Sequence, residues 1–338
     1  MCPAFFPYIR SASVGIHYGE TSNMHEQCQA VPKVYIILIN WNGASDTLEC
    51  LTSIKRLSYP NYEIIVVDNG SSDNSVTSIK ERHPEVITIE SQNNLGFSGG
   101  NNLAINFALK NGADYVWLLN NDTVVDNDAL SHLVRTASQS VENGIVGSVI
   151  YNYADREIIQ FSDAAIDWKK AKFRISTLHH VKTFEAECAH GCSMLVSRQV
   201  CLSIGLLDEK YFLYVEELDW CVRARNAAFK CLIEPKSRVY HKLSASVNKT
   251  GGKGIVFNYY NTRNFLYLID KLCPYRQRKL ITAKLILKYI RRDKTNFAKM
   301  LLSYLFRLNL ARPEQAPKLF AAKDYLLKNM GKTRFIKG

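Results

Sequence analysis

Alternation of short apolar runs with helix-patterned segments is the feature that most constrains how this chain of 338 residues can fold. Four short segments rich in apolar residues are predicted as strands: Val34–Ile39, Tyr62–Val67, Val86–Glu90 and Tyr115–Leu119. The segments of helical periodicity between them are Asp46–Leu57, Ser75–Arg82 and Gly100–Asn111. Strands and helices in alternation indicate an α/β fold with a doubly wound, mostly parallel sheet.

Each predicted strand ends in a polar cluster. The clusters are Asn40-Trp41-Asn42-Gly43, Asp68-Asn69-Gly70-Ser71-Ser72-Asp73, the glycine-containing segment Asn93–Asn102, and Asn120-Asn121-Asp122. Ligands of such sheets bind beyond the carboxyl ends of the strands, where the connecting loops open into a crevice. We therefore expect the four clusters to border one cleft.

The cluster after the second strand has the chemistry of a nucleotide site. Asp68 and Asn69 offer acceptors and donors to the edge of a base, and glycine lets backbone N–H groups and the next helix N-terminus approach phosphate. The same residues are also typical of a turn followed by a helix, with Ser72 or Asp73 as the N-cap. The glycines of the third cluster are likewise compatible with a plain tight turn, so both interpretations stay open.

Asp122 stands at a strand end between apolar residues. A carboxylate in that position suits a hard divalent cation such as Mg²⁺ or Mn²⁺, which takes few protein ligands when phosphates supply the others. The alternative is that Asn120 and Asp122 begin the next helix. His241 follows a predicted strand at Ser237–Tyr240 and is a second candidate ligand, although a lone histidine is more often structural.

Acidic and aromatic side chains are concentrated between Asp208 and Arg223. A carboxylate there can take a proton from a hydroxyl as a general base, and Glu217 is the candidate. Asp219 and Arg223 have a spacing that also fits a plain ion pair on a helix surface. Three later residues either contact the ligand or pack the tail: Tyr259, Tyr260 and Arg263.

Basic charge is concentrated at the C-terminal end. Residues 271–338 contain 18 Lys and Arg against 3 Asp and Glu, whereas the remaining residues have a net charge of −3. Such a tail predicts a polyanionic neighbour, either nucleic acid or an anionic lipid surface. Lys284, Lys288, Arg291 and Arg292 share one face of a predicted helix, which suits a membrane-associating interfacial helix as well as a basic-surfaced cap on the main domain.

The nine cysteines form no Cys-X-X-Cys pair, and we interpret most of them as reduced packing residues. Cys188, His190 and Cys192 lie close together but lack the second ligand pair of a structural zinc site. The sequence shows neither a secretory signal nor an apolar stretch of transmembrane length. We therefore expect a cytoplasmic protein, and the tail decides whether it also lies peripherally on the inner face of the membrane.

Taken in order, these segments resemble glycosyltransferase family 2, and within it the rhamnosyltransferase-like and galactofuranosyltransferase-like branch with a GT-A fold. The resemblance spans roughly Val34 to Ile269. It rests on His241 and on five motifs: Val-Asp-Asn-Gly-Ser-Ser-Asp at 67–73, Asn-Leu-Gly-Phe-Ser-Gly-Gly-Asn-Asn at 94–102, Leu-Leu-Asn-Asn-Asp at 118–122, Gly-Cys-Ser-Met-Leu at 191–195 and Glu-Glu-Leu-Asp-Trp at 216–220. It implies a GT-A domain at 31–270, after a loosely ordered arm at 1–30 and before a basic helical region at 271–338.

The resemblance also assigns roles by position. The residues implied to bind the donor are Asn40, Asn42 and Asp68 at the nucleoside, and Asn94 and Gly96 beside the diphosphate. Asn69, next to Asp68, and Asn121, next to the metal-binding acid, complete the predicted donor site. Asp122 is similar to the acid that ends the family's metal-binding motif, and His241 is similar to a distal metal ligand. Glu217 stands where the family usually has Asp as the catalytic base, with Glu216 as the second candidate. Asn120 replaces the first acid of the metal motif, which predicts weaker metal binding.

The resemblance implies an inverting, metal-dependent hexosyltransferase of cell-surface polysaccharide synthesis. A dTDP-rhamnose and a UDP-hexose donor both fit the pattern, and the acceptor would be a saccharide or a lipid-linked saccharide. The alternatives are a non-catalytic nucleotide-sugar-binding module, which would not need Glu217, Asp122 and His241 together, and a protein that binds nucleic acid through its tail. No zinc-finger or RNA-binding motif accompanies the tail, so we expect no nucleic-acid partner.

Overall fold

The computed structural model of the protein describes residues 30–242, 253–306 and 312–333, without the side chains of 253 and 304–306. The chain divides into two units, 1–31 and 32–338, and the elements named below belong to the second. Of the predicted N-terminal arm, all residues but Ala30 lie outside the described part of the chain.

Four parallel strands form one half of the central sheet, in the order β3-β2-β1-β4. They are β1 (Val34–Asn40), β2 (Tyr62–Asp68), β3 (Ile87–Glu90) and β4 (Tyr115–Leu119). β1 is buried along almost its whole length, as is the C-terminal part of β2, because parallel strands are covered on both faces. The predicted α/β architecture is confirmed.

Three helices connect these strands: α1 (Ala44–Ile54), α2 (Ser75–Arg82) and α3 (Gly96–Lys110). The N-cap of α2 is Asn74, so the predicted caps Ser72 and Asp73 are wrong. Helix α3 begins four residues before the predicted start at Gly100. The reason is a tertiary partner, since the carbonyl oxygen of Phe212 accepts the N–H of Phe97 at 2.7 Å and satisfies an additional first turn.

The second half of the sheet mixes strand directions. The elements after β4 are β5 (Thr123–Val125), α4 (Ala129–Ala137), β6 (Ile145–Asn152), β7 (Ile159–Phe161), β8 (Asp163–Asp167), β9 (Lys172–Ser176), β10 (Phe184–Glu185), β11 (Ser193–Ser197), α5 (Arg198–Ile204), α6 (Glu216–Asn226) and β12 (Cys231–His241). Of these strands, β8 and β9 form a separate antiparallel pair, and the others belong to the central sheet. β11 lies between β4 and β6, antiparallel to both, whereas β12 runs parallel to β6. Because β5 follows Asp122 directly and pairs with β12, the alternative of a helix starting at Asn120 is wrong.

Four described helices follow β12: α7 (Lys253–Leu272), α8 (Arg278–Arg292), α9 (Lys294–Phe306) and α10 (Pro317–Leu326). Helix α7 contributes Leu266 and Ile269 to the main core. Its Tyr260 belongs to a second apolar cluster, together with Phe212 of the acidic segment and Phe320 of α10. Helix α7 therefore joins the C-terminal helices to the domain that contains the central sheet.

Helix α8 has one packed face and one exposed basic face. Thr282 and Leu285 are buried, and the exposed residues include Lys284, Lys288, Arg291 and Arg292. Within the described residues, no helix combines the length and apolarity that a membrane span requires.

All seven cysteines in the described part of the chain are buried free thiols. Burial raises the pKa of Cys50 and of Cys201 to about 12, so these thiols stay protonated at neutral pH. Protonated buried thiols behave as small apolar side chains, which agrees with a packing role.

Candidate active site

The loops that follow β1 to β4 border one cavity of about 490 Å³. Each of the four loops contributes at least one residue to the cavity surface, among them Trp41, Asn69, Asn94 and Asp122. Later segments complete the lining with the start of α6, the end of β12, part of α7 and Lys332. The predicted convergence of four polar loops on one cleft is confirmed.

Asn40 and Asp68 are buried and bonded to each other. The amide of Asn40 donates to Asp68 Oδ1 at 2.8 Å, and Asp68 Oδ2 accepts the N–H of Ser71 at 3.0 Å. Asn42 Oδ1 accepts the N–H of Ser72 at 2.8 Å. These bonds hold the loop after β2 in place. The three predicted nucleoside ligands are not among the described residues that line the cavity, and their contact with a nucleoside stays a prediction.

Backbone N–H groups of both glycine loops already have acceptors within the protein. In the loop after β2, side chains accept the N–H groups of Ser71, Ser72, Asp73 and Ser75. At the start of α3, side chains or a carbonyl oxygen accept those of Leu95, Gly96, Phe97 and Ser98. In this conformation, neither loop has these N–H groups available for the predicted contact with phosphate.

Gly96 is the point where the third loop meets the acidic segment. Its φ is +73°, and a Cβ atom at this position would lie 2.3 Å from the carbonyl oxygen of Phe212. Asn69 Nδ2 donates to the Gly96 carbonyl at 3.0 Å, and Asn94 Oδ1 accepts the Gly96 N–H at 2.8 Å. Conformation and space therefore both require glycine here.

Asp122 and His241 lie side by side on the cavity surface. Pairing of β5 with β12 sets Thr123 opposite His241, and Asp122 Oδ1 lies 3.1 Å from His241 Nε2. Asn121 lines the same wall and donates to Thr47 Oγ1 at 2.8 Å. The two predicted metal ligands therefore lie next to each other, and their binding of a metal stays a prediction.

A carboxylate and an imidazole suit Mn²⁺, and the carboxylate alone suits Mg²⁺. Among the described residues, no group of three His, Cys, Asp or Glu side chains has the arrangement of a metal site. A cation between Asp122 and His241 would therefore need phosphate and water as its remaining ligands, which is how Mg²⁺ is commonly bound in phosphate sites. The two residues fit the predicted ion in that form.

The segment that precedes α6 is strained. Phe212, Tyr214 and Val215 have φ angles of +65°, +69° and +76°. Non-glycine residues in this region cost about 1–3 kcal/mol each and cluster at functional sites. The resulting bends bring Glu216 and Glu217, in the first turn of α6, to the cavity surface.

Two buried residues of α7 hold this strained segment. Asn264 Nδ2 lies 2.8–2.9 Å from the carbonyl oxygens of Tyr211, Leu213 and Tyr214. Arg263 donates to the carbonyl oxygens of Tyr211 at 3.0 Å and of Gly331 at 2.6 Å. Of the two interpretations left open for Arg263, packing of the tail is the one observed. Tyr260, in contrast, lines the cavity.

Glu216 and Glu217 differ in their affinity for protons. Burial raises the pKa of Glu217 to about 7. Burial, reinforced by the charge of Glu217, raises the pKa of Glu216 well above its usual range. Glu216 Oε2 also lacks a hydrogen-bond partner among the described residues. Near neutral pH Glu216 keeps its proton, whereas Glu217 exchanges one readily, so Glu217 is the better placed base.

Asp219 and Arg223 form an ion pair whose carboxylate is buried, so the interpretation as a plain surface ion pair is wrong. Asp219 is fully buried, and its Oδ2 lies 2.6 Å from Arg223 Nε. Asp219 Oδ1 accepts the hydroxyl of Tyr211 at 3.0 Å and lies 2.8 Å from Lys271 Nζ. The pair belongs to a network that ties α6 to α7.

Sequence analysis missed several residues of the cavity. The cavity is also lined by Phe161 of β7, Phe173 of β9, His190 in the segment before β11, and Lys332 of the C-terminal segment. The ring of His190 lies 6.5 Å from that of His241, and burial lowers the pKa of His190 to about 4. The Cys188–Cys192 cluster was the available signal for His190, whereas no local pattern marks Lys332.

Comparison with known proteins identifies relatives of this chain. Residues 35–205, about half of the chain, match Glycosyl transferase family 2. The low-salt glycan biosynthesis hexosyltransferase Agl10 of Haloferax volcanii is 30% identical over 200 residues, which cover 56% of this chain and 61% of Agl10, less than two thirds of its length. The dTDP-rhamnosyl transferase RfbF of Shigella flexneri is 22% identical over 246 residues, which cover 70% of this chain and 80% of RfbF.

Solved structures show the same fold. The mannosyltransferase PcManGT of Pyrobaculum calidifontis, in complex with GDP-Man and Mn²⁺, has a TM-score of 0.54 at 16% identity, with 89% of this chain and 88% of that chain covered. S. aureus TarS 1-349 has a TM-score of 0.51 at 14% identity, with 88% and 82% covered. Both likenesses concern the GT-A fold alone. Because the family match extends over half of its residues, this chain belongs to glycosyl transferase family 2.

Proposed function

We propose that the protein is an inverting glycosyltransferase that transfers rhamnose or a hexose from a nucleoside diphosphate to a hydroxyl of a saccharide or lipid-linked saccharide. The observation that carries this proposal is that Glu217, with its pKa raised to about 7, shares one cavity with the pair Asp122 and His241. The relatives support the substrate class, since Agl10 is a hexosyltransferase of glycan biosynthesis and RfbF is a dTDP-rhamnosyl transferase.

Asp122 and His241 would hold a divalent cation, Mg²⁺ or Mn²⁺. When bound, such a cation supplies positive charge that stabilises the departing diphosphate. PcManGT, which has the same fold, was solved with GDP-Man and Mn²⁺. Asn69, Asn94 and Asn121 line the neighbouring wall, where their amides orient the donor.

Glu217 takes the proton of the acceptor hydroxyl while that oxygen bonds to the anomeric carbon. The diphosphate leaves from the opposite side of the sugar in the same displacement, so the anomeric configuration is inverted. A pKa of about 7 makes the Glu217 carboxylate a stronger base than an ordinary glutamate and still leaves much of it ionised at neutral pH. Turnover should therefore increase as the pH rises through 7.

A test compares E217Q with E216Q, a matched change on the neighbouring residue. Nucleoside diphosphate release is measured with dTDP-rhamnose, UDP-hexoses and GDP-mannose, with Mn²⁺ and saccharide acceptors. Turnover of E217Q should fall by about 100-fold or more, because an amide cannot accept the proton. Donor binding, measured by thermal shift, should remain, because the amide keeps the shape of the side chain.

E216Q should retain most of the turnover, since Glu216 is already protonated at neutral pH. If E217Q turned over at the wild-type rate, Glu217 would be excluded as the base. A wild-type protein that binds a donor and transfers nothing would instead favour the non-catalytic nucleotide-sugar-binding module. Retention of the anomeric configuration in the product, determined by NMR, would contradict the single displacement.

We also propose that α8 contacts an anionic membrane surface, where a lipid-linked acceptor would be found. Its Lys284, Lys288, Arg291 and Arg292 are exposed, and Leu280 and Leu287 on the same helix are 53% and 49% exposed. Basic and apolar side chains exposed together on a helix are typical of interfacial binding.

Co-sedimentation with vesicles tests this contact. Protein should sediment with phosphatidylglycerol vesicles more than with phosphatidylcholine vesicles, and neutralising the four basic residues of α8 should abolish the difference. A control variant neutralises four exposed cations on the sheet domain: Arg56, Arg82, Lys110 and Lys236. If both variants lose the same amount of vesicle binding, the binding depends only on the net charge of the protein, which would contradict a specific role for α8.

A further inference from the structure

Acidic side chains outnumber Lys and Arg in the described lining of the proposed donor cavity. Asp122, Glu216 and Glu217 line it, whereas Lys332 is the sole Lys or Arg among the lining residues that the structure describes. A nucleoside diphosphate adds further negative charge to this surface. Charge-assisted hydrogen bonds from a cationic side chain are the usual means of holding phosphate in such surroundings.

Backbone donors do not replace this cation. Helix N-termini commonly bind phosphate through free N–H groups of the first turn. At the two glycine loops of this cavity, however, internal acceptors already occupy the N–H groups of Ser71 to Asp73 and of Leu95 to Ser98. At these positions the backbone is not free to bind phosphate, which leaves side chains and a bound cation as the sources of positive charge.

Tertiary contacts hold the backbone on both sides of Lys332. The N–H of Gly331 donates to the carbonyl oxygen of Lys210 at 2.8 Å, and Arg263 donates to the carbonyl oxygen of Gly331 at 2.6 Å. On the other side, the N–H of Thr333 donates to the hydroxyl of Tyr260 at 3.1 Å. The backbone is thus fixed, while the side chain of Lys332 is exposed to the cavity.

These contacts also place Lys332 on the side of the cavity where α3 begins. The ring of Tyr260 stacks on that of Phe212 at 5.3 Å, and the carbonyl oxygen of Phe212 accepts the N–H of Phe97. The start of α3 is where the family resemblance puts the donor diphosphate, beside Gly96. Lys332 and the start of α3 thus line the same cavity and are joined by these contacts.

We propose that Lys332 Nζ binds the diphosphate of the nucleotide donor, so that residues 330–333 are part of the donor site. This inference rests on the proposed function. It also gives Arg263 a positioning role, because its guanidinium joins the acidic segment at Tyr211 to the tail at Gly331.

The test is calorimetric titration of the full chain with UDP, GDP and dTDP in the presence of Mn²⁺. For the nucleotide that the wild type binds, K332A should bind roughly tenfold more weakly, the effect of one charge-assisted hydrogen bond. K332R should recover most of the affinity. K318A, which removes an exposed lysine of α10, is the matched control and should bind as the wild type does.

A second titration uses the corresponding nucleoside without phosphates. Wild type and K332A should bind it equally, and a parallel loss would show a structural role and overturn the proposal. Unchanged affinity of K332A for the nucleoside diphosphate would also overturn it and assign the lysine to another anion, such as a phosphate of the acceptor. If the wild type binds none of the three nucleotides, the proposed function itself fails and the inference with it.

Discussion

The two sides of the cavity are built in different ways. The amide side, formed by Asn69, Asn94 and Asn121, is held by hydrogen bonds to a neighbouring strand loop and to α1. The acidic side, residues 211–219, contains three non-glycine residues with positive φ and depends on α7 and the C-terminal segment. The amide side is therefore stabilised by contacts near the sheet. The position of Glu217, in contrast, depends on residues of α7 and of the C-terminal segment, which are distant in sequence.

The largest expected effect comes from removing the contact that holds the acidic side. N264A leaves the buried carbonyl oxygens of Tyr211, Leu213 and Tyr214 without this donor, and we expect a loss of about 3 kcal/mol or more in the free energy of unfolding. Denaturant unfolding provides the measurement. N258A is the control on the same helix, since Asn258 bonds to the carbonyl of Gly254 within α7. Equal losses in the two variants would mean that α7 does not hold the acidic side.

A smaller effect is expected where the two sides touch. Gly96 and Gly112 have φ angles of +73° and +80°, but an added Cβ meets the Phe212 carbonyl at 2.3 Å in the first case and nothing within 4 Å in the second. G112A therefore reports backbone strain alone, about 1 kcal/mol, and G96A should lose about 2 kcal/mol more through overlap. Thermal unfolding of both variants measures the difference. Losses of the same size would show that the contact between Gly96 and Phe212 is not tight.

The last prediction concerns the pH dependence of stability on the acidic side. The pKa of Glu217 is about 7 in the folded protein and about 4.5 in the unfolded chain, so the folded state holds this proton more tightly. The stability contributed by protonated Glu217 is fully present below pH 4.5 and is lost as the pH rises to 7. The glutamine of E217Q has no proton to lose, so this variant avoids the loss. The free energy of unfolding of E217Q minus that of wild type should therefore increase by roughly 2–3 kcal/mol from pH 4.5 to pH 7 and stay constant above pH 7.

Unfolding curves of E217Q and wild type between pH 4 and pH 8 measure that increase. E81Q replaces an exposed glutamate of α2 and should show no comparable rise with pH. A constant difference between E217Q and wild type over this range would mean that burial does not raise the pKa of Glu217. Glu217 would then have the pKa of an ordinary carboxylate. The amide side and the acidic side of the cavity would differ only in their backbone geometry.

Local pattern was enough to predict the parallel half of the sheet and the meeting of its loops. β1, β2 and β4 are short apolar runs that are mostly buried, and β3 is a partly exposed edge strand. The polar ends of all four share one edge of the sheet because the strands are parallel. The early start of α3 and the burial of Asp219 were not predictable in this way. Both depend on partners distant in sequence: Phe212 for the first, Lys271 for the second.

By itself, the sequence determined the parallel half of the sheet, the meeting of its polar loops at one edge, and the position of Asp122 at a strand end. These follow from periodicity and neighbouring residues, which act over a few positions. Only the tertiary structure decided that Glu216 stays protonated while Glu217 can act as a base, and that Lys332 reaches the cavity. Desolvation and long-range hydrogen bonds set these properties, and both depend on residues that come together only when the chain is folded.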